Sequence, residues 1–325
     1  MKNNLRAGFI GCGNISHFHA DVLKKLDVNI VAAAYRFDQG KAELFNAKYG
    51  PLKIYSDWKL MTESESLDFL WVAASWDIID DLLIPVMEYN LPVFFEKPVA
   101  LSSERISEAL RIYPHLKNKV QVGYNRRFYT VVKELKELLK DKKIINIEVY
   151  IPESVKESDI KLLKFRTLQN SSHLIDLVLY IIDDFDVRIK HLYKCSDSEA
   201  KTPGFTVMLE STSRCNIYIS SIFNSPQNSS IRFYSDDQMI YELKPVEILS
   251  IYKGFDIIDP TPLQPIRLYN PKLVHRSFEP NDGFKPGFLE QTVQFVENTL
   301  IGRNYDLPNL NSSLCITQLI EKIIL

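Results

Sequence analysis

The chain has 325 residues, 46% of them hydrophobic and 25% charged, with 39 basic side chains against 41 acidic ones and a formal net charge of −2. That balance excludes a disordered chain, a collagen and a disulfide-dense miniprotein, and it gives the molecule no overall pull toward nucleic acid or anionic lipid. At roughly 150 residues per domain the length suggests two domains.

The start, Met1 to Asn14, has no apolar stretch long enough for a signal peptide. No run reaches roughly 18 mainly apolar residues, so no membrane span is expected. Cys12, Cys195, Cys215 and Cys315 show no CxxC spacing, which argues against zinc or a redox dithiol. The chain reads as cytoplasmic, with reduced thiols and with neither nucleic acid nor membrane as a partner.

Apolar runs and helical patterns alternate through the first part. Leu5–Gly11, Val28–Tyr35, Leu67–Ala74, Pro92–Pro98 and Lys119–Asn125 read as buried strands. Helical stretches separate them: one through His17–Leu26, one ending at a Gly50 C-cap, one that Pro85 should kink or shorten, and one capped by Ser102 or Ser103. Fully apolar strands between amphipathic helices imply βαβ units and a doubly wound parallel sheet. Past Phe128 the texture changes. An amphipathic helix (130–141) leads to an alternating strand (143–151), and a helix follows around "SSHLIDLVLYII". Strand-like runs without helices between them occupy Val187 to Leu243, which implies a largely antiparallel sheet. Two helices close the chain. The fold class is therefore α/β: a Rossmann domain over 1–125, and over 126–325 an α+β domain with a large open sheet for substrate and oligomerisation, its C-terminal helices free to pack back on the first domain.

Gly11-Cys12-Gly13-Asn14-Ile15-Ser16 ends the first strand and opens the first helix. A tight turn and a close pyrophosphate both need glycine there, and a helix N-terminus favours phosphate. Ser16 stands where the third glycine of the fingerprint would be. At the end of the second strand, Tyr35-Arg36 replaces the acid that would select NAD; Arg36 suits a 2′-phosphate, which leans the cofactor toward NADP. "FFEKP" delivers Glu96-Lys97-Pro98 to a strand's C-terminal end, where ligands of open α/β sheets bind. A cation fixed there suits polarising a carbonyl or hydroxyl. His173 and Asp176 lie three apart, on one helix face. A triad built on Ser171 or Ser172 lacks the strained GxSxG turn.

In the order "GFIGCGNIS-HFHA", "EKPVA", "GYNRRF" and "HLID", the sequence resembles the Gfo/Idh/MocA oxidoreductases, most clearly from Leu5 to about Tyr180. The resemblance implies NAD(P) as cofactor and a sugar, inositol or sugar nucleotide as substrate. It also implies a dimer or tetramer built on the open sheet. Carried over, it makes Lys97 and His173 catalytic, and Arg127 a cleft residue beside substrate-binding Gln169 and Asp176. It assigns Gly11, Cys12, Gly13, Asn14, Ile15, Arg36, Ser75, Trp76, Glu96 and Lys97 to the cofactor. Three features depart from the family pattern: Gln169 for an aspartate, Ser75-Trp76 for a Thr-Pro turn, and Asp80 for a histidine. The expected activity is hydride transfer between NAD(P)(H) and a secondary alcohol or ketone of a sugar or sugar nucleotide, in surface-polysaccharide synthesis. The alternative is a non-catalytic NAD(P)- and sugar-binding sensor on the same fold.

Overall fold

The computed structural model describes residues 5–116, 119–153, 167–195, 204–301 and 307–324; the positively charged start at Met1–Asn4 lies outside them. The chain divides into two compact units, one of Met1–Phe128 with Asn281–Lys322, the other of Tyr129–Pro280 with Ile323–Leu325.

In the first unit, β1 (Arg6–Ile10), β2 (Asn29–Ala34), β3 (Lys53–Tyr55), β4 (Phe69–Val72), β5 (Val93–Phe95) and β6 (Val120–Val122) alternate with α1 (Asn14–Lys25), α2 (Gln39–Tyr49), α3 (Trp58–Ser64), α4 (Ile79–Glu88) and α5 (Ser103–Ile112). The strands form one parallel sheet in the order β3-β2-β1-β4-β5-β6. The order reverses beside β1, which places a ligand crevice at the carboxyl ends of β1 and β4. The core is aromatic: Trp71 stacks on Phe94 with ring centroids 3.9 Å apart. Phe295 of α8 (Phe288–Ile301) meets Trp71 edge-on, so a helix from the far end of the chain completes this core.

The second unit holds α6 (Thr130–Leu139), β7 (Ile144–Ile151), α7 (Ser172–Ile181), β8 (Arg188–Cys195), β9 (Gly204–Glu210), β10 (Asn216–Ile222), β11 (Ser230–Ser235), β12 (Met239–Leu243), β13 (Ile248–Ile258) and β14 (Leu268–Phe278). Its eight-stranded sheet runs β14-β13-β12-β11-β7-β10-β9-β8. Within this sheet, among its described strands, only β7 and β10 pair in parallel. The last helix, α9 (Leu310–Ile324), falls in the first unit up to Lys322.

One local expectation needs correction, one holds, and two features went unread. Pro85 does not shorten its helix: α4 runs on to Glu88, since one missing N–H removes one bond while apolar packing keeps the rest. Gly50 caps the C-terminus of α2 as expected, in extended backbone at φ −72°. Its glycine is needed because a Cβ there would lie 2.4 Å from the Asn46 carbonyl oxygen. The edge pair β3 and α3 escaped the reading because three residues carry no periodicity. The hairpin β13–β14 escaped it because Pro271 reads as a breaker, yet β14 is an edge strand, where proline is tolerated.

Candidate functional site

β1 delivers Gly11 at φ +101°, in the left-handed region that favours glycine, and a Cβ there would stand 2.5 Å from the Ala73 carbonyl oxygen. Gly13, one residue before α1, has ordinary backbone angles, and a Cβ on it would meet nothing within 4 Å. The fold therefore requires the first glycine, while the second keeps space open at the helix N-terminus. Gly13 offers that first turn no side-chain cap, which leaves α1 N–H groups for a ligand. Ser16, in the third glycine's place, is fully buried and donates its hydroxyl to the Gly11 carbonyl at 2.9 Å, so it closes the loop on itself. The Cys12 thiol is buried too, and burial pushes it up to about 12. Asn14 is exposed, and Ile15 packs on the core.

Beyond the glycines lies a cavity of about 480 Å³, walled by Tyr35–Asp38, Ser75 and Pro85 among others. Arg36 enters its wall with its guanidinium 4.3 Å from the centre of the Phe37 ring and 3.7 Å from Asp77. Asp77 in turn accepts from the Ser75 hydroxyl. Lys41 and Lys59 also line the cavity. Asp38 is engaged in capping α2, accepting from the Lys41 N–H at 3.1 Å. Trp76 is half-exposed. These features fit a dinucleotide: a glycine floor, an uncapped helix start and cations where a ribose phosphate would end.

Two strands along, β5 ends at Phe95, and Glu96 turns inward. One carboxylate oxygen sits 2.7 Å from His19 Nε2, and the other accepts the Lys97 N–H at 3.1 Å. Burial lowers the His19 imidazole, with the Glu96 bond opposing. Burial raises the Glu96 carboxyl, but the His19 bond and the nearby charges of Lys97 and Lys285 bring it below its ordinary value. The stable state is thus a neutral imidazole donating to a carboxylate. Lys97 itself is half-buried, and its bond to Pro98 is cis. The following loop is held by Asp80, whose carboxylate accepts the Leu101 N–H at 2.6 Å and whose carbonyl accepts from Arg105 Nε. Arg127 is buried in a short 3-10 turn, and Asn125 of that turn donates to the Pro286 carbonyl at 2.9 Å.

The second unit holds the other candidates. Gln169 lies in a π-helical turn, Thr167–Ser171, that leads into α7. His173 and Asp176 sit on one buried face of that helix. Glu153, itself buried, accepts from the Ser171 hydroxyl at 2.6 Å and the Asn170 amide at 3.1 Å, which fixes the start of α7. Lys97 and Arg127 thus belong to one unit, and Gln169, His173 and Asp176 to the other.

Residues 5–124 match the Gfo/Idh/MocA oxidoreductase family, NAD-binding Rossmann fold. Over that stretch the chain matches the family model. It is 29% identical over 137 residues to the myo-inositol 2-dehydrogenase of Thermotoga maritima, covering 42% of this chain and 41% of the relative. It is 27% identical over 192 residues to the glucose-6-phosphate 3-dehydrogenase of Bacillus subtilis, covering 55% and 54%. The chain therefore spans about two fifths to a half of the length of these curated relatives. A solved dehydrogenase structure from Chromobacterium violaceum superimposes with a TM-score of 0.79 over 99% of this chain and 95% of that one, at 16% identity, a likeness of fold.

Within their own units, three residues close to the candidate positions were not revealed by the motifs. His19 follows the glycine loop, but a histidine in an apolar helix reads as packing. Lys285 lies far along the chain, in a segment with no motif, yet its ammonium stands 5.0 Å from the centre of the Phe288 ring beneath His19. Glu153 precedes a stretch with no pattern at all. Asp80, in the place of the family's histidine, clamps a loop through its hydrogen bonds.

Proposed function

We propose that the protein is an NAD(P)-dependent dehydrogenase or reductase that interconverts a secondary alcohol and a ketone on a sugar-like ring. The observation that carries this reading is one unit combining an open glycine floor at the end of β1 with a half-buried lysine just past β5. When bound, the nicotinamide supplies or accepts the hydride. Gly11, Cys12, Gly13, Asn14 and Ile15 cradle the pyrophosphate. Arg36 meets the adenosine ribose, with Lys41 close by, so the phosphorylated cofactor is preferred. Ser75 and Trp76 border the dinucleotide.

Lys97 hydrogen-bonds the reacting oxygen and stabilises the negative charge that builds on it, a preorganised electrostatic contribution. His173 holds the proton that this oxygen gains or loses, and such acid–base help is typically worth about 10²- to 10⁴-fold. Asp176 orients the imidazole. Gln169 and Arg127 bind the hydroxyls of the ring, since an amide and a guanidinium both suit neutral oxygens. Relatives named for inositol and for glucose 6-phosphate support a polyhydroxylated substrate. A nucleotide-linked sugar of surface-polysaccharide synthesis is the narrower choice within that class. The exposed apolar side chains of β13 and β14, among them Phe255, Ile257 and Phe278, support a homodimer or homotetramer, which light scattering on the purified protein checks.

The test is a panel of polyols, free sugars and keto-sugar nucleotides read by NAD(P)H absorbance, with Lys97→Met as the control. Turnover by the native chain and its loss in Lys97→Met, with dinucleotide still bound, support the reading. Normal turnover in Lys97→Met overturns the assignment of Lys97. Tight dinucleotide binding with no turnover anywhere in the panel favours a non-catalytic sensor instead.

A further inference from the structure

We propose that His19 is a positioning residue for Lys97, acting through the carboxylate of Glu96. The inference rests on the dehydrogenase reading of Lys97 given above. Its geometry lies wholly within the first unit. His19 sits on the inner face of α1 and is fully buried. One Glu96 oxygen lies 2.7 Å from its Nε2, and the other takes the backbone N–H of Lys97 at 3.1 Å. A single carboxylate therefore joins a buried ring to the backbone of the residue that carries the ammonium.

Neither end of the link is free to drift. The imidazole is stacked on Phe288, with centroids 4.5 Å apart, and flanked by Trp71 at 4.8 Å and Phe94 at 5.0 Å. Glu96 rests on Gly123, where a Cβ would come within 3.1 Å of the carboxyl carbon and both of its oxygens. Any larger residue at that position would push the carboxylate away from the strand end.

Packing alone does not account for a histidine here. Its Nδ1 is buried with no hydrogen-bond partner among the described residues, and an orphaned acceptor costs stability that a leucine of similar size would not. What the imidazole adds is an uncharged donor. A cation at position 19 would compete with Lys97 for the carboxylate, whereas a neutral N–H keeps Glu96 ionised and leaves its charge to the lysine. The other charges facing the pair are few. Lys97 comes from the loop itself, Lys285 from the segment before α8, and Arg126 acts on Lys285 from the turn after β6.

Without its donor, Glu96 is a buried carboxyl short of a hydrogen bond, and burial then favours the protonated form. Lys97 loses both an opposite charge and the acceptor that fixes its N–H. The ammonium becomes easier to deprotonate, and the reacting oxygen loses a charged donor.

The experiment compares His19→Leu, His19→Gln and Glu96→Gln with the native chain. The glutamine amide at position 19 restores a neutral donor near the place of Nε2. The direct readout is competitive acetylation of the Lys97 amine by acetic anhydride across pH, in protein without dinucleotide, quantified by peptide mass spectrometry. The labelling midpoint is expected to fall by roughly one pH unit in His19→Leu and in Glu96→Gln, and to return toward the native value in His19→Gln. Dinucleotide affinity of His19→Leu and His19→Gln, read by NADPH fluorescence, stays within about twofold, since neither changes the charge beneath the site. Turnover falls at least tenfold in kcat with KM unchanged, and His19→Gln recovers part of it. A native midpoint in both His19→Leu and Glu96→Gln overturns the proposal. Should His19→Leu fail to fold, Glu96→Gln decides alone, being isosteric. Should Lys97→Met still turn over, the dehydrogenase reading of Lys97 fails, while the labelling midpoint still decides whether His19 controls that amine.

Discussion

Arg36 and Asp77 meet across the mouth of the nucleotide cavity, with Nη1 3.7 Å from Oδ2, one on the loop after β2 and the other on the loop after β4. Both side chains are about half exposed, at 51% and 45%, so the pair itself contributes little to stability. Its importance is competitive. A ribose 2′-phosphate must draw Arg36 away from Asp77. Asp77→Asn is therefore expected to tighten NADPH binding roughly two- to fivefold, the range of an exposed ion pair, with NADH unchanged. Arg36→Ala should weaken NADPH roughly tenfold or more, the loss of a charge-assisted contact, again sparing NADH. Fluorescence titrations of both nucleotides check this, and equal effects on the two would refute the NADP preference.

The two glycines of the loop should fail in different ways. Gly11→Ala puts a Cβ at φ +101° and 2.5 Å from a carbonyl oxygen, so it strains the fold by roughly 1–3 kcal/mol or more, and the melting temperature should drop. Gly13→Ala meets nothing and should leave the melting temperature nearly unchanged. It should still weaken dinucleotide binding at least tenfold, because its methyl enters the space left open at the start of α1. Parallel melting and titration curves separate these outcomes. A Gly13→Ala protein that binds NADPH normally would move the pyrophosphate elsewhere.

Cys12 lies in the glycine loop, yet its thiol is turned into the core and pushed up to about 12 by burial. The thiolate is the reactive form. Iodoacetamide at pH 8 is therefore expected to leave Cys12 unmodified in the folded protein and to reach it only on unfolding. Rapid labelling of Cys12, read by peptide mass spectrometry, would place its sulfur in the cavity after all.

Acid should weaken the first unit through His19. Its folded-state value is lowered from 6.5, so below that pH the unfolded chain takes up a proton that the folded one refuses. Stability then declines as pH falls from 6.5, by at most about 1.4 kcal/mol per pH unit for one group. Glu96, with a folded value below 4.5, contributes stability above that pH, and this is lost as acid titrates the folded carboxyl. Both effects have the same sign. Melting temperatures from pH 7 to pH 5 should fall in the native chain and fall less in His19→Gln. Equal slopes would mean that the imidazole is already charged when folded.

How far the sequence could be read follows from what each feature looks like in isolation. Val, Ile and Phe runs such as "VFF" and "FLWV" announce buried parallel strands because no solvent face interrupts them. The glycine loop was legible for the same local reason, although nothing in "GCGNIS" tells that Gly11 serves the backbone and Gly13 the space beside it. Glu96 reads as a cofactor-side residue beside Lys97, with no local sign of a partner. Only the fold brings His19 against it, through helix α1. Lys285 and Phe295 join this site and core from the far end of the chain, a pairing that no local pattern carries. The long hairpin of β13 and β14 was hidden because its prolines and exposed apolar residues resemble a loop more than a sheet.

In the second unit, the start of α7 hangs on Glu153. Its carboxylate accepts from the Ser171 hydroxyl and the Asn170 amide, and its carbonyl accepts the Asn224 N–H at 2.6 Å. The π-helical turn that carries Gln169 lies between this anchor and His173. Glu153→Ala removes a buried acceptor from two donors and is expected to cost about 1–3 kcal/mol, at about 0.5–1.5 for each bond. Glu153→Gln keeps one acceptor and should cost about half as much. Hydrogen exchange should show the loss concentrated in residues 167–176, and, on the proposed role of His173, turnover should fall with it. An alanine variant with native protection across that stretch would show that α7 is held by its apolar face alone.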